Sequence, residues 1–282
     1  MTLFNTSAFD LNAYLARVAF ERRPARPGVS TLRELALAHP RAIPFENLDP
    51  LLRRPVRLDI ASIQEKLVRG GRGGWCFEHN LLLGTALTAL GFNVTGLAAR
   101  VLWNVAPGIV RARTHMVLLI PLPEGPHIMD VGFGGSTPTA PLRLEADIEQ
   151  ATPHEPFRLV KVDGSFRLEA RIERAWKALY LFDLAPQVLA DYEMPNWYLC
   201  NHPESHFLLG VVAARVERDR RYALRNTEFA VHFPRSDTER RTLTSGAEIR
   251  RTLEDVFHIQ VPTEPEVDAI FERLAGLTAA TT

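Results

Sequence analysis

Cysteine is scarce in this chain of 282 residues: Cys76 and Cys200 are the only two. One possible pair cannot staple a domain of this size, so the disulfide-built secreted scaffolds are excluded. Net charge is lacking as well. Thirty-three basic side chains balance thirty-three acidic ones, and no overall field gathers nucleic acid or an anionic membrane. Local basic clusters, such as Arg53, Arg54 and Arg57 or the stretch 215–225, read as solvated faces. No apolar run approaches the roughly 20 residues that cross a bilayer. The N-terminal stretch has no basic segment leading into an apolar one with a small-residue cleavage site, so the chain reads as a reduced, cytoplasmic protein. A G-x-x-x-x-G-K-[ST] phosphate loop is absent, and GFGG at 132–135 lacks the strand-to-helix context of a dinucleotide fingerprint. With 46% apolar residues, the chain can nonetheless bury a full core.

Its texture changes twice along the sequence. Residues 1–90 read as helical: in FDLNAYLARVAF, Leu11, Tyr14, Leu15, Val18 and Ala19 recur on one helical face, and TLRELALAHP and SIQEKLV repeat the pattern. Pro40 and Pro44 are expected to break the path between them. Residues 91–190 carry short β-rich runs, among them THMVLLIPL and HIMDVGF, separated by PEGP or DG turns. This predicts antiparallel hairpins closing into a small barrel. Residues 191–282 mix the two. NWYLCNHPESHF reads as irregular, strand and turn alternate after it, AEIRRTLEDVFHI and PEVDAIFERLAGL read as helices, and TAATT as a loose tail.

RGGRGGWCFEHN, Arg69 to Asn80, sets Cys76 just past four glycines and immediately before an apolar run that Gly91 is positioned to end. A cysteine at a helix start meets unpaired N–H groups and the positive end of the macrodipole. Arg69 and Arg72 add positive charge if they face the same way, so the thiol is expected to ionise near neutral pH. A base and an orienting group are in reach. If the hairpin after THMVLLIPL turns about residues 123 and 124, residues whose numbers sum to about 247 lie opposite. His115 and Asp130 then become diagonal neighbours on one face. Cysteine, histidine and aspartate are the nucleophile, base and orienter of covalent acyl transfer. His79 and His127 have no carboxylate at matching spacing and are assigned surface or capping duty. Cys200, His202 and His206 lack a fourth ligand, and Pro203 breaks a continuous helix between the histidines, so no metal site is expected there.

RGGWCFEHN resembles the active-site signature of the arylamine N-acetyltransferases, R-G-G-x-C-[FY]-E-x-N. IPFENLD at 43–49, ARVLW at 99–103, THMVLL at 114–119, DVGFGG at 130–135 and NWY…HPESHF at 196–207 follow in the family's order and spacing. The resemblance implies an α+β chain with a cysteine-protease-like catalytic core. It would have a helical bundle over 1–90 carrying the nucleophile, an antiparallel β-barrel over 91–190 carrying the histidine and aspartate, and an interdomain segment with an α/β lid over 191–282. It implies Cys76 as nucleophile, His115 as base and Asp130 as its orienter. Phe45, Val101, Phe133 and Phe207 match acceptor-pocket positions, and Trp103 and Thr114 match positions near the acyl donor. The implied reaction moves an acetyl group from acetyl-CoA, a co-substrate rather than a resident cofactor, through an acetyl-cysteine to an arylamine or hydrazine. No metal, nucleic-acid or membrane partner is implied, and the oligomeric state stays open. Two other chemistries share the same residues: macrolactam closure by amide synthases of the family, and hydrolysis or amide exchange by a transglutaminase-like enzyme.

Overall fold

A computed structural model describes residues 3–21, 27–106, 108–234 and 236–279. The last three residues of the TAATT tail therefore lie outside the described residues. The N-terminal part builds α1 (Leu11–Arg17), α2 (Val29–Ala42), the two-residue strand β1 (Phe45–Glu46), α3 (Leu48–Leu51), α4 (Ile60–Gln64) and α5 (Cys76–Ala89). Helix α2 runs through Pro40 to Ala42 instead of breaking there, and α4 continues into a π-helical turn, Glu65–Arg69. Pro40 sits in the last turn of α2, where a missing N–H disturbs few bonds downstream. Asp10 and Asp59 cap α1 and α4 by accepting from the N–H groups of Ala13 and Ser62. Helix α5 is buried on every side from Cys76 to Leu87, as an all-round apolar sequence requires, and Gly91 follows it at φ 90°.

A seven-stranded antiparallel sheet follows. It comprises β2 (Thr95–Val101), β3 (Arg113–Ile120), β4 (His127–Met129), β5 (Leu142–Arg143), β6 (Phe157–Val162), β7 (Ser165–Ile172) and β8 (Ala175–Pro186). Its order is β5-β4-β3-β2-β8-β7-β6. Bridges from Ala146 to Leu159 and from Gln150 to Phe157 tie the chain beyond β5 to the opposite edge, so the sheet curls into a nearly closed barrel. Strand β3 has two inner faces. Met116, Leu118 and Ile120 pack into the helical core with α5, while Val117 joins Leu97, Phe157 and Tyr180 inside the barrel. The β3–β4 register pairs Leu118 with Met129 and Leu119 with Ile128, which is the turn centre read from the sequence.

NWYLCN proves helical rather than irregular. It closes α6 (Leu189–Asn201), which runs through Pro195 because Tyr192, Asn196 and Leu199 are buried against the helical core. A short 3-10 turn, His206–Leu208, succeeds it. Strands β9 (Val212–Val216), β10 (Arg221–Arg225), β11 (Glu228–His232) and β12 (Glu239–Thr242) form a second sheet, covered by α7 (Gly246–Asp255) and α8 (Pro265–Ala279). One of its edge strands is β1, paired antiparallel with β9. The strand carrying Phe45 is thereby fixed to the C-terminal sheet as well as to the turn before α5. Among the described residues no helix is long and apolar enough to cross a membrane.

Candidate active site

The glycine turn before α5 is held by charge pairs beneath it. Glu78 accepts from the N–H of Trp75 at 3.0 Å and pairs with Lys66 at 2.8 Å; Lys66 also reaches Asp49 at 2.6 Å. Arg72 is bound by Glu46 at 2.7 Å and Asp49 at 3.2 Å, and Arg69 pairs with Glu65. Both arginines expected to draw down the thiol are thus spoken for by carboxylates. Burial pushes the Cys76 thiol up, and the negative charge of Asp130 adds to this; the backbone N–H groups of Phe77 and Met116 oppose it without prevailing. An unpaired thiolate near neutral pH is therefore not what this turn produces.

The Cys76 Sγ donates to the carbonyl oxygen of Thr114 at 3.6 Å, immediately before His115 in the chain. Cys76, His115 and Asp130 are all buried. His115 donates from Nε2 to Asp130 Oδ2 at 2.7 Å, which leaves its Nδ1 as the nitrogen with a free lone pair. Asp130 Oδ1 accepts from Asn80 Nδ2 at 3.0 Å and from the Gly132 N–H at 2.9 Å. Burial alone would raise this carboxyl; the positive charge His115 can carry and these hydrogen bonds outweigh it and hold Asp130 below the usual range. Asn80 also donates to the Met116 carbonyl at 2.9 Å and accepts from the Val131 N–H at 3.2 Å, binding α5 to strand β3 and to the loop leaving β4. Asn80, the last residue of the stretch around Cys76, is not among the site residues expected from the sequence. Its spacing from Cys76, four residues along one helix and therefore on one face, was the available signal.

Three pocket residues converge here. Phe133 meets the His115 ring edge-on at 5.1 Å, Phe45 lies 6.2 Å from Phe207, and Phe207 packs on Trp75 at 5.3 Å. Gly134, next to Phe133, lies against the Phe45 ring. Val101 is half-buried opposite Tyr180 in the β2–β8 ladder, Thr114 offers its carbonyl to the sulfur, and Trp103 is exposed. Tyr180 packs 4.9 Å from His115, and burial first, then the nearby Asp130 carboxylate, push its hydroxyl up. His79 and His127 are buried, not on the surface. Cys200 is buried near the Val56 backbone, and His202 stacks on Tyr198 at 4.4 Å. Among the described residues no group of His, Cys, Asp and Glu converges as a metal ion requires.

Comparison with known proteins matches residues 28–267 to the N-acetyltransferase family model. The chain belongs to the arylamine N-acetyltransferase family. It is 43% identical over 258 residues to the arylamine N-acetyltransferase of Mycolicibacterium smegmatis, covering 90% of this chain and 93% of that protein. It is 42% identical over 277 residues to that of Mycobacterium tuberculosis, covering 96% and 97%. The solved structure of the Mycobacterium marinum arylamine N-acetyltransferase in complex with CoA superposes with a TM-score of 0.90. The two are 40% identical, over 94% of this chain and 99% of that one. The α+β architecture described above is that of these family members.

Proposed function

We propose that this family member is an arylamine N-acetyltransferase in which Cys76 takes an acetyl group from acetyl-CoA and passes it to an aromatic amine or hydrazine. The observation that carries the reading is the buried His115–Asp130 pair beside a cysteine at a helix start. The CoA-bound relative supports acetyl-CoA as donor. Two unbridged cysteines fit a reducing compartment such as the cytoplasm.

In the first half-reaction His115 Nδ1 takes the thiol proton as sulfur attacks the thioester carbonyl. The C–S bond to CoA breaks, and the CoA sulfur leaves with the proton returned by the imidazolium. Asp130 stabilises that imidazolium and fixes its tautomer. The Phe77 and Met116 N–H groups directed at the sulfur lie where an oxyanion forms beside it; a donor so placed contributes about 3 kcal/mol. In the second half-reaction the amine attacks the acetyl-cysteine carbonyl and loses a proton to His115, and the Cys76–acetyl bond breaks to give the amide. An aryl ring is received by Phe45, Phe133 and Phe207, with Val101 beside them and with Trp103 and Thr114 on the donor side. The test is intact mass after incubation with acetyl-CoA: one acetyl group should appear on Cys76, discharge on addition of an arylamine, and be absent from Cys76→Ser. A wild-type protein that gains no mass overturns the reading. An acetyl-enzyme discharged by water as fast as by amine assigns it to hydrolysis instead.

A further inference from the structure

Tyr14, His39 and His79, from α1, α2 and α5, meet in the helical core with no exposed surface. The Tyr14 hydroxyl is 3.0 Å from His39 Nδ1, and His39 Nε2 is 2.9 Å from His79 Nδ1. His79 Nε2 lies 3.1 Å from the Pro44 carbonyl and 3.0 Å from that of Gly74. The proton positions follow from the partners. Two carbonyl oxygens can only accept, so His79 carries its proton on Nε2 and its Nδ1 accepts. His39 must serve that nitrogen with Nε2–H, and its own Nδ1 then accepts from Tyr14. Every proton points the same way, from Tyr14 towards the turn before Cys76, and both imidazoles are neutral.

Burial lowers His79 to about 4 against the pull of the two carbonyls, with Lys66 lowering it and Glu46 raising it. Burial also holds His39 well below the ordinary histidine range, with His79 and Arg17 adding to the effect. The chain of bonds ends on the pieces that present the nucleophile. Gly74 stands two residues before Cys76, its N–H donates to Pro44, and its carbonyl accepts from the Glu46 N–H. Between Pro44 and Glu46 sits Phe45, whose ring is parallel to the His79 imidazole at 6.3 Å.

We propose that His79, locked as its Nε2–H tautomer by the two carbonyls and backed by His39 and Tyr14, is a positioning residue of acetyl transfer: it clasps the Pro44 and Gly74 carbonyls and so fixes Cys76 and the Phe45 wall relative to His115. The proposal rests on Cys76 being the acetyl acceptor. It is tested by single-turnover acetylation of Cys76, followed by quenched intact mass, in wild type, His79→Leu and His79→Gln, with thermal unfolding as the control of folding. His79→Leu should slow acetylation at saturating acetyl-CoA about ten- to a hundredfold, the scale of a small misplacement of reacting groups, with half-saturation little changed. His79→Gln, whose amide can still donate to the carbonyls, should recover most of the rate. Imidazole nitrogen NMR of the wild type should show both His39 and His79 protonated on Nε2 alone.

A wild type that is never acetylated fails the functional reading beneath. An acetylated wild type with a folded His79→Leu of equal rate overturns the proposal itself, as do a His79→Gln as slow as His79→Leu or an Nδ1–H on His79. If His79→Leu does not fold, Tyr14→Phe decides. Without the hydroxyl the His39 Nδ1 at the head of the chain of bonds is left unpaired, which should slacken the hold on His79 and slow acetylation several-fold, and a rate like wild type would overturn the proposal.

Discussion

At the scale of single residues, the sulfur of Cys76 has no standing positive charge to ionise it. Burial and the Asp130 carboxylate both favour the neutral thiol. The charged form therefore arises only by transfer of the proton to His115, whose cationic form Asp130 stabilises from 2.7 Å. The sign follows directly: an acid whose pKa is raised stays protonated to higher pH, so without the base its thiolate appears only above the ordinary thiol range near 8.5. In His115→Gln, alkylation of Cys76 by iodoacetamide at pH 7 should slow at least about a hundredfold and recover only in strong alkali. A variant alkylated at the wild-type rate would show that something other than the imidazole ionises the sulfur. Asn80 gives a second expectation. Asn80→Ala removes one donor from buried Asp130 and strands the Met116 carbonyl and the Val131 N–H. The cost should be about 3 kcal/mol in urea unfolding, together with a slower acetylation step. Unchanged stability would mean that other groups replace the amide. Cys76 at a helix start and His115 near Asp130 were legible from a run of glycines and a hairpin centre. The ionisation of the thiol was not, because it depends on Arg72 turning to Glu46 and Asp49, carboxylates more than twenty positions earlier in the chain.

At the scale of elements, the site forms where α5 lies against the loop leaving β4, and the approach is close enough to exclude a side chain. A Cβ on Gly132 would stand 2.7 Å from the Cys76 Cα and 2.9 Å from its carbonyl oxygen. Backbone cannot give way as a flexible side chain does, so Gly132→Ala should push the Asp130 loop off the helix. A loss of about 1–3 kcal/mol is expected, lowering Tm by roughly 2–4 °C per kcal/mol in a chain of this size, and acetylation should slow by more than tenfold. A variant with wild-type Tm and rate would show that the loop has room the geometry denies. Helices α2 and α7 were readable because one side of each must be apolar, and α5 and the β3–β4 hairpin because their apolar runs are nearly continuous between turn signals. Strand β1 was not: two residues, Phe45 and Glu46, carry no periodicity, and their place is set by β9, far along the chain. Helix α6 was missed because Pro195 and a cluster of aromatic residues suggest a loop. What keeps it helical is tertiary: Asn196 accepts from the Trp75 indole at 3.1 Å and donates to the Val56 carbonyl at 2.9 Å.

Across the whole molecule, the same burial that tunes the site sets its tolerance of acid. His39 and His79 are neutral in the folded chain, His79 down to about 4 and His39 held well below the ordinary value, both by desolvation first. His154, His206, His232 and His258 are lowered as well, again chiefly by burial. A histidine depressed in the fold binds no proton there while the unfolded chain binds one below about 6.5. Stability is therefore whole above that pH and drains as pH falls, until the folded rings titrate in their turn, His79 near 4. Each fully buried ring costs up to about 1.4 kcal/mol per pH unit, so the His39–His79 pair alone should remove roughly 4 kcal/mol between pH 7 and pH 5. That is a large part of the 5–15 kcal/mol typical of a folded chain. Asp49, Asp130 and Glu217, all held below the usual carboxylate range, extend the loss at lower pH, since each must be protonated out of an ion pair or hydrogen-bonded site. Urea unfolding at pH 7, 6 and 5 measures the slope. His79→Gln removes one titrating ring from the pair, so its curve should be flatter by about 2 kcal/mol over the same range. Equal slopes in the two proteins would place the proton uptake elsewhere and show that His79 accepts a proton in the fold as readily as out of it.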